Sequence, residues 1–391
     1  MNHYLKMAAR RILHIVWTIF LYGFAATGLI FVVVFFAIKF HFTDEKGVVD
    51  SHTTDFQELA NGLTNGNKGT LWAPESIGTI KTIDELIINL QNIKKEKSKI
   101  LCDIQNLGTV YPKNAVTILR EYKLGYNDVL AQKMLFAAGL ELQDAGKKIP
   151  IGCDETTLSE DSVAATLDAT KGDNLYPWIN NEEWTTISAA ITNDTPTINQ
   201  AAQVADIDPR LITANLTVEQ LRLFHSQREL FEKFFQPLTI LGNATKTSLG
   251  VMGIKEATAK QIESHLKDTS SPYYLGPEHE HDLDFETSDP NTERYNRLTN
   301  EDDHYYSYLY GGLYLKQMMT QWEKAGFDIS DRPEIVGTLF NVGFAQSNPN
   351  ANPKVGGSSI TIEDKKYSFG SLAFEFYYSG ELSSEFSLQA K

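Results

Sequence analysis

The residue best suited to acid–base chemistry is Glu219. It closes the run Asp208-Pro209-Arg210-Leu211-Ile212-Thr213-Ala214-Asn215-Leu216-Thr217-Val218-Glu219. Asp208 suits an N-cap and Pro209 a first helical turn. Breaking a glycosidic bond requires protonation of the leaving oxygen, so the acid must still hold its proton near neutral pH. Burial beside apolar groups favours that neutral form of a carboxyl. The helical spacing predicts a buried stripe of Leu211, Ala214, Val218 and Leu221. Glu219 flanks it, with Ile212, Asn215, Leu216 and Leu223 on its own side, so the carboxyl is expected partly sunk at the edge of a core. Arg222 stands three residues on, and an i,i+3 ion pair worth about 0.2–0.5 kcal/mol would suit a proton donor poorly.

Other reactive residue types compete with Glu219. Glu229 and Glu232 follow it among Phe224, Phe231, Phe234 and Phe235. Glu278-His279-Glu280-His281-Asp282 is rich in metal-ligating side chains, but Leu283 denies it the HExxH spacing that sets two histidines on one helix face. A solvated acidic loop is the expectation there, with no metal and no cofactor. His304-Tyr305-Tyr306-Ser307-Tyr308 offers rings that stack on sugars, although one face of such a helix packs into a core. The chain has no G-x-S-x-G elbow, P-loop or dinucleotide fingerprint.

The elements that must position these groups read as helices. Ile83 to Ile100 carries Leu86, Ile87, Leu90 and Ile93 at helical spacing with a lysine-rich end. Asn114 to Tyr122 and Asn127 to Leu142 form a pair broken at Gly125. Turn-like clusters occupy 146–176, and helix resumes over Glu182–Thr192 and Thr197–Ala205. Near the C-terminus Ser359 to Ile362 alternates, Glu363 to Lys366 reads as a charged turn, and Tyr367-Ser368-Phe369 resumes the alternation as a β-hairpin. Leu372 to Tyr378 reads as a closing aromatic helix. Residues 43–80 are polar and read as a lead-in stalk.

Three further stretches follow the Glu219 run in order. They are Ser248-Leu249-Gly250-Val251-Met252-Gly253-Ile254 leading into Thr258-Ala259, then Tyr310-Gly311-Gly312-Leu313-Tyr314-Leu315, then Gly337-Thr338-Leu339-Phe340-Asn341-Val342-Gly343. Together the four resemble the motifs of the lysozyme-like lytic transglycosylases, over roughly residues 197–345. The resemblance implies that Glu219 is the catalytic acid and that Ser248, Gly250, Met252, Gly253, Phe340 and Asn341 line the sugar-binding cleft, and Tyr306 of the aromatic run is the candidate to stack on a sugar there. The resemblance also implies that Tyr314 belongs to a helix packed behind that cleft. The sequence departs from the pattern in three places. Gly253 stands where the family has glutamine, Phe340 where it has tyrosine, and the interval from Glu219 to Ser248 is longer than the family's.

The N-terminus fixes a compartment. Ile15 to Ile38 holds no charged residue, longer than the ~20 apolar residues a helix needs to cross a bilayer. Lys6, Arg10 and Arg11 precede it and Asp44 and Glu45 follow. A retained single-pass anchor with a cytoplasmic N-terminus and an extracytoplasmic remainder is therefore expected. The net charge of −15 argues against nucleic acid as a partner. Cys102 and Cys153 lie on the outer side and are expected to pair.

The expected fold is thus mainly α. Residues 1–14 are the cytoplasmic N-terminus, 15–39 a transmembrane helix, 40–195 a stalk and helical region with no legible role, and 196–391 a lysozyme-like domain with a small β-hairpin. The expected function is a membrane-bound lytic transglycosylase acting on peptidoglycan glycan strands. The sequence leaves open a hydrolytic muramidase and an inactive glycan-binding cell-wall scaffold, and it names no protein partner.

Overall fold

The computed structural model describes residues 97–147, 152–153, 158–225 and 249–388, together with Trp17 and Tyr22. The chain divides into two compact units, Met1–Lys46 with Phe235–Lys246, and Gly47–Phe234 with Thr247–Lys391. In the first, Trp17 and Tyr22 are helical and exposed. Most of the expected 15–39 span, the 43–80 stalk, Ser248, Glu229 and Glu232 lie outside the described residues. Among the described residues no helix is long and apolar enough to cross a membrane.

The second unit is mainly helical with one small two-stranded sheet. Helix α1 (97–108) carries the pattern expected to end at Ile100 further on, because Leu101, Ile104 and Leu107 keep the buried spacing. A disulfide joins its Cys102 to Cys153 across 51 residues, Cα to Cα 5.8 Å, as expected. α2 (Pro112–Gly125) ends at Tyr126, whose φ of 48° turns the chain. Asn127 then caps α3 (Asp128–Asp144) by accepting from the Leu130 N–H at 3.0 Å. α4 (Glu160–Thr166), α5 (Glu182–Asn193) and α6 (Thr195–Val204) lead to the helix bearing Glu219, α7 (Pro209–His225).

Helix α7 corrects the stripe expected from its sequence. Every residue from Arg210 to Val218 is buried, polar Thr213, Asn215 and Thr217 included, and Glu219 is 4 % exposed. The carboxyl is not at the edge of a core. α7 is the central helix, packed against α5, α6, strand β1 (Ser359–Ile362) and three later helices, α10 (Tyr305–Lys324), α11 (Pro333–Val342) and α12 (Phe369–Ser379). α8 (Glu256–Lys267) and α9 (Pro290–Leu298) lie against α10. Helices from 97 to 193 and from 195 to 379 contribute to one continuous apolar core.

The hairpin forms, with a shorter turn than the sequence suggested. β1 pairs antiparallel with β2 (Lys365–Ser368), Ile362 opposite Lys365, so Glu363 and Asp364 alone make the turn and Phe369 begins α12. Ile360 and Ile362 face the core while Thr361 is exposed, the two-residue period of a half-buried strand.

Two buried polar clusters tie these elements together. Arg210 donates Nε to the Tyr377 carbonyl at 2.8 Å, Nη1 to Phe386 at 2.9 Å and Nη2 to Phe376 at 3.2 Å. Phe376 and Tyr377 lie in the last turn of α12, where carbonyls lack helical partners and the helix dipole is negative, so a cation suits the place. Burial pulls the guanidinium down to about 10. The second cluster sets Lys365 Nζ 2.6 Å from Glu141 Oε1, 2.9 Å from Asp144 Oδ2 and 3.8 Å from Glu375 Oε1. Tyr367 donates its hydroxyl to Glu141 at 2.9 Å and Trp178 its indole N–H to Glu375 at 3.3 Å. Burial pushes Glu375 well above the carboxylate range, and the nearby Glu141 charge adds to this. For Lys365, burial acts downward, but Glu375 and Glu141 outweigh it and leave the ammonium raised.

Candidate functional site

Glu219 lies in the C-terminal part of α7, where Val218 and Leu221 anchor the helix in the core. Its carboxylate accepts a fork from Arg222, Nε to Oε2 at 3.0 Å and Nη2 to Oε1 at 2.5 Å. The Arg222 side chain is 20 % exposed and that of Glu219 5 %. Two parallel charge-assisted hydrogen bonds require both carboxylate oxygens to accept, the ionised form. In this arrangement Glu219 is an ion-pair acceptor.

A tight turn closes over the carboxylate. Leu249 and Ile254 exchange backbone hydrogen bonds at 2.8 and 3.1 Å, and the Gly253 N–H donates to the Gly250 carbonyl at 3.1 Å. Gly250 and Gly253 have φ of 66° and 61°, the left-handed region that favours glycine. Both also lie where a side chain has no room. A Cβ on Gly253 would stand 2.2 Å from Glu219 Oε1, and one on Gly250 would stand 2.1 Å from the Leu298 carbonyl oxygen.

Three contacts hold the turn. Gln220 donates Nε2 to the Val251 carbonyl at 2.6 Å. The Met252 N–H donates to Ser307 Oγ at 3.2 Å, and the buried Met252 side chain fills the space over Gly311, where a Cβ would meet its Cε at 2.7 Å. Sequence reasoning passed over Gln220 and Ser307, although each lies beside a residue it singled out. Neither residue type announces a backbone partner.

The remaining candidates are distributed around the same helix. Gly312 lies against Ile212, and a Cβ on it would be 3.0 Å from Ile212 Cδ1. Gly337 approaches Asn215, 3.6 Å from such a Cβ to Oδ1. Asn341, one turn beyond Gly337, accepts from the Ser358 N–H at 2.7 Å and from Ser358 Oγ at 3.0 Å. Its oxygen thus anchors the entry to β1. Phe340 is 8 % exposed, stacked on Phe369 at 6.1 Å between ring centroids and tilted against Tyr314 at 5.4 Å, so its ring belongs to the aromatic core. Tyr314 is buried, as expected of a core residue. Tyr306 is half-buried, with the Arg297 guanidinium 4.3 Å from its ring centre and Tyr305 edge-on at 5.3 Å.

The segment Glu278 to Asp282 departs from a wholly solvated loop. His279 is 8 % exposed, with Nδ1 2.7 Å from Asp282 Oδ2, while His281 is exposed and pairs with Asp284 at 2.6 Å. Among the described residues no group of three or more His, Cys, Asp or Glu side chains is arranged to hold a metal ion.

Chemically, the site offers one buried carboxylate and a cation in contact with it. In comparisons with known proteins no family model matches the chain, and neither a curated protein nor a solved structure matches it.

Proposed function

We propose that this chain is a peptidoglycan lytic transglycosylase, held to the membrane by the segment 15–39, with its lysozyme-like domain outside the cytoplasm. Glu219 donates a proton to the oxygen between N-acetylmuramic acid and N-acetylglucosamine. The resulting carboxylate then takes the proton of the muramic C6 hydroxyl as that oxygen closes a 1,6-anhydro ring. One carboxylate serves both steps, and no metal or cofactor enters.

One observation supports this reading, the convergence of the three later stretches on the first, which forms α7. Gly253 touches Glu219, Met252 seats on Gly311, Gly312 packs on Ile212 and Gly337 approaches Asn215. The meeting of these stretches around one helix is what the parts of a single cleft would require. The glycine at 253, where the resemblance expects glutamine, has a steric reason: any side chain there meets the carboxylate.

The scaffold reading draws on a different observation. The Arg222 fork holds Glu219 as a carboxylate, and Phe340 and Asn341 are committed to the core and to β1. Digestion of purified peptidoglycan by the full-length protein in detergent separates the readings. Anhydro ends support the transglycosylase, new reducing ends the hydrolase, and binding without turnover the scaffold. Glu219→Gln should lower turnover by about 10²–10⁴-fold. Full activity in that variant would remove Glu219 from the mechanism. A reporter fused after Lys391 should be active only outside the cytoplasm, and activity inside would end the cell-wall reading.

A further inference from the structure

Lys365 is a buried amine that the proposed reaction leaves unused. Its Nζ stands 2.6 Å from Glu141 Oε1, 2.9 Å from Asp144 Oδ2 and 4.6 Å from the Tyr367 ring centre. That nitrogen is closed off from solvent, and neither carboxylate approach has the angles of a hydrogen bond. An ammonium usually turns its three donors onto such oxygens. This one is pressed against a carboxyl group instead, one bond from the carbon that an amine would attack. Glu141 is the more enclosed acid, its side chain 2 % exposed against 24 % for Asp144, and the Tyr367 hydroxyl donates to its Oε1 at 2.9 Å. Glu375 completes the group, with Oε1 3.8 Å from Nζ and Oε2 accepting from the Trp178 indole. Burial, then the Glu141 charge, keeps a proton on Glu375.

We propose that Lys365 and Glu141 form a self-modification site, an amide between Nζ and the side-chain carboxyl that crosslinks α3 to β2. The step begins when an ammonium proton passes to the Glu141 carboxylate. The neutral nitrogen then attacks Cδ, the new C–N bond forms, and one carboxyl oxygen leaves as water. Glu375 gives its proton to the departing hydroxyl and recovers one from the nitrogen, so it ends as it began. The balance closes with no other reactant. A charged pair out of water is costly, and condensation removes both charges. Holding amine and acid in contact supplies the orientation that the free groups lack. The bond closes a covalent loop that contains α7, so the helix bearing Glu219 is enclosed by a crosslink that unfolding does not break.

The test is the mass of the full-length protein, purified in detergent, reduced and denatured. It should be lighter than the sequence requires by one water. Trypsin should leave the bond after Lys365 uncut and release a branched peptide that joins the segments of Glu141 and Lys365. Lys365→Arg keeps the charge but should show the full mass, as should Glu141→Ala. Glu375→Ala should fold, by circular dichroism, with most molecules uncrosslinked. Crosslinking to the parental extent in that variant would overturn the proton shuttle. Should the variants fail to accumulate, the peptide map of the parent decides alone. A linear Lys365 peptide in the parent would overturn the proposal, and so would a branch at Asp144. None of these readouts depends on peptidoglycan turnover, so their failure leaves the proposed function standing.

Discussion

Gly253 and Glu219 share a contact that leaves no room for a Cβ at position 253 as the two stand. A Cβ there would stand 2.2 Å from Glu219 Oε1, 2.8 Å from Cδ and 3.1 Å from Cγ, on a backbone whose φ is +61°. The turn from Leu249 to Ile254 is shaped around the carboxylate, and the carboxylate is held where that turn permits.

Gly253→Ala therefore combines a left-handed backbone with a steric conflict. Each effect costs about 1–2 kcal/mol or more, so denaturant unfolding should report a loss of at least about 2 kcal/mol. Turnover should fall as well, because the carboxyl must move. A variant as stable and as active as the parent would mean that the turn does not sit on Glu219.

Arg210→Met keeps the apolar stem of the side chain and removes its five donors. The three carbonyls it serves, those of Phe376, Tyr377 and Phe386, are then left without that donor. The Phe376 carbonyl keeps the Ser379 hydroxyl at 2.9 Å, so two carbonyls are stranded. At about 1–3 kcal/mol for each, the variant should lose at least about 2 kcal/mol or fail to accumulate. Near-parental stability would show that water or another donor replaces the guanidinium.

The bond between Cys102 and Cys153 closes a loop of 51 residues. Its removal in Cys102→Ser/Cys153→Ser should cost about 4 kcal/mol in the chain-entropy model. Alkylation of both thiols in the unreduced, denatured parent would show that the bond is absent.

Glu375 predicts a pH dependence. Burial, followed by the neighbouring Glu141, raises this acid in the folded state above its unfolded value. Its contribution is complete below the unfolded pKa of about 4.3 and is lost as pH rises through the folded value. Glu375→Gln mimics the neutral form and should escape that loss. The stability of the variant relative to the parent should increase as pH is raised from about 4, measured by denaturant unfolding at each pH. A constant difference across the range would show that Glu375 does not change its protonation on folding.

Much of the helical framework was legible because it depends on local signals. Asn127 and Pro209 mark helix starts, Gly125 marks a break, and the alternation of Ile360 and Ile362 marks a strand with one buried face, while the helix expected from Asn114 begins two residues earlier at Pro112. These depend on backbone geometry and side-chain period within a few residues, and neighbours in sequence are enough to read them. The convergence of the four stretches was anticipated only as an order along the chain.

Tertiary structure decided the rest. The polar residues Thr213, Asn215 and Thr217 promised α7 a wet face, but elements distant in sequence cover it on all sides, so Glu219 is buried rather than half-sunk. Arg210 reads as an ordinary charge until the end of α12, well over a hundred residues later, brings it three carbonyls. Lys365 falls in what the sequence offered as a charged turn, yet it faces Glu141, Asp144 and Glu375 from two other helices. A charge records no partner in the sequence, because electrostatic and steric partners are set by which surfaces the whole chain buries together.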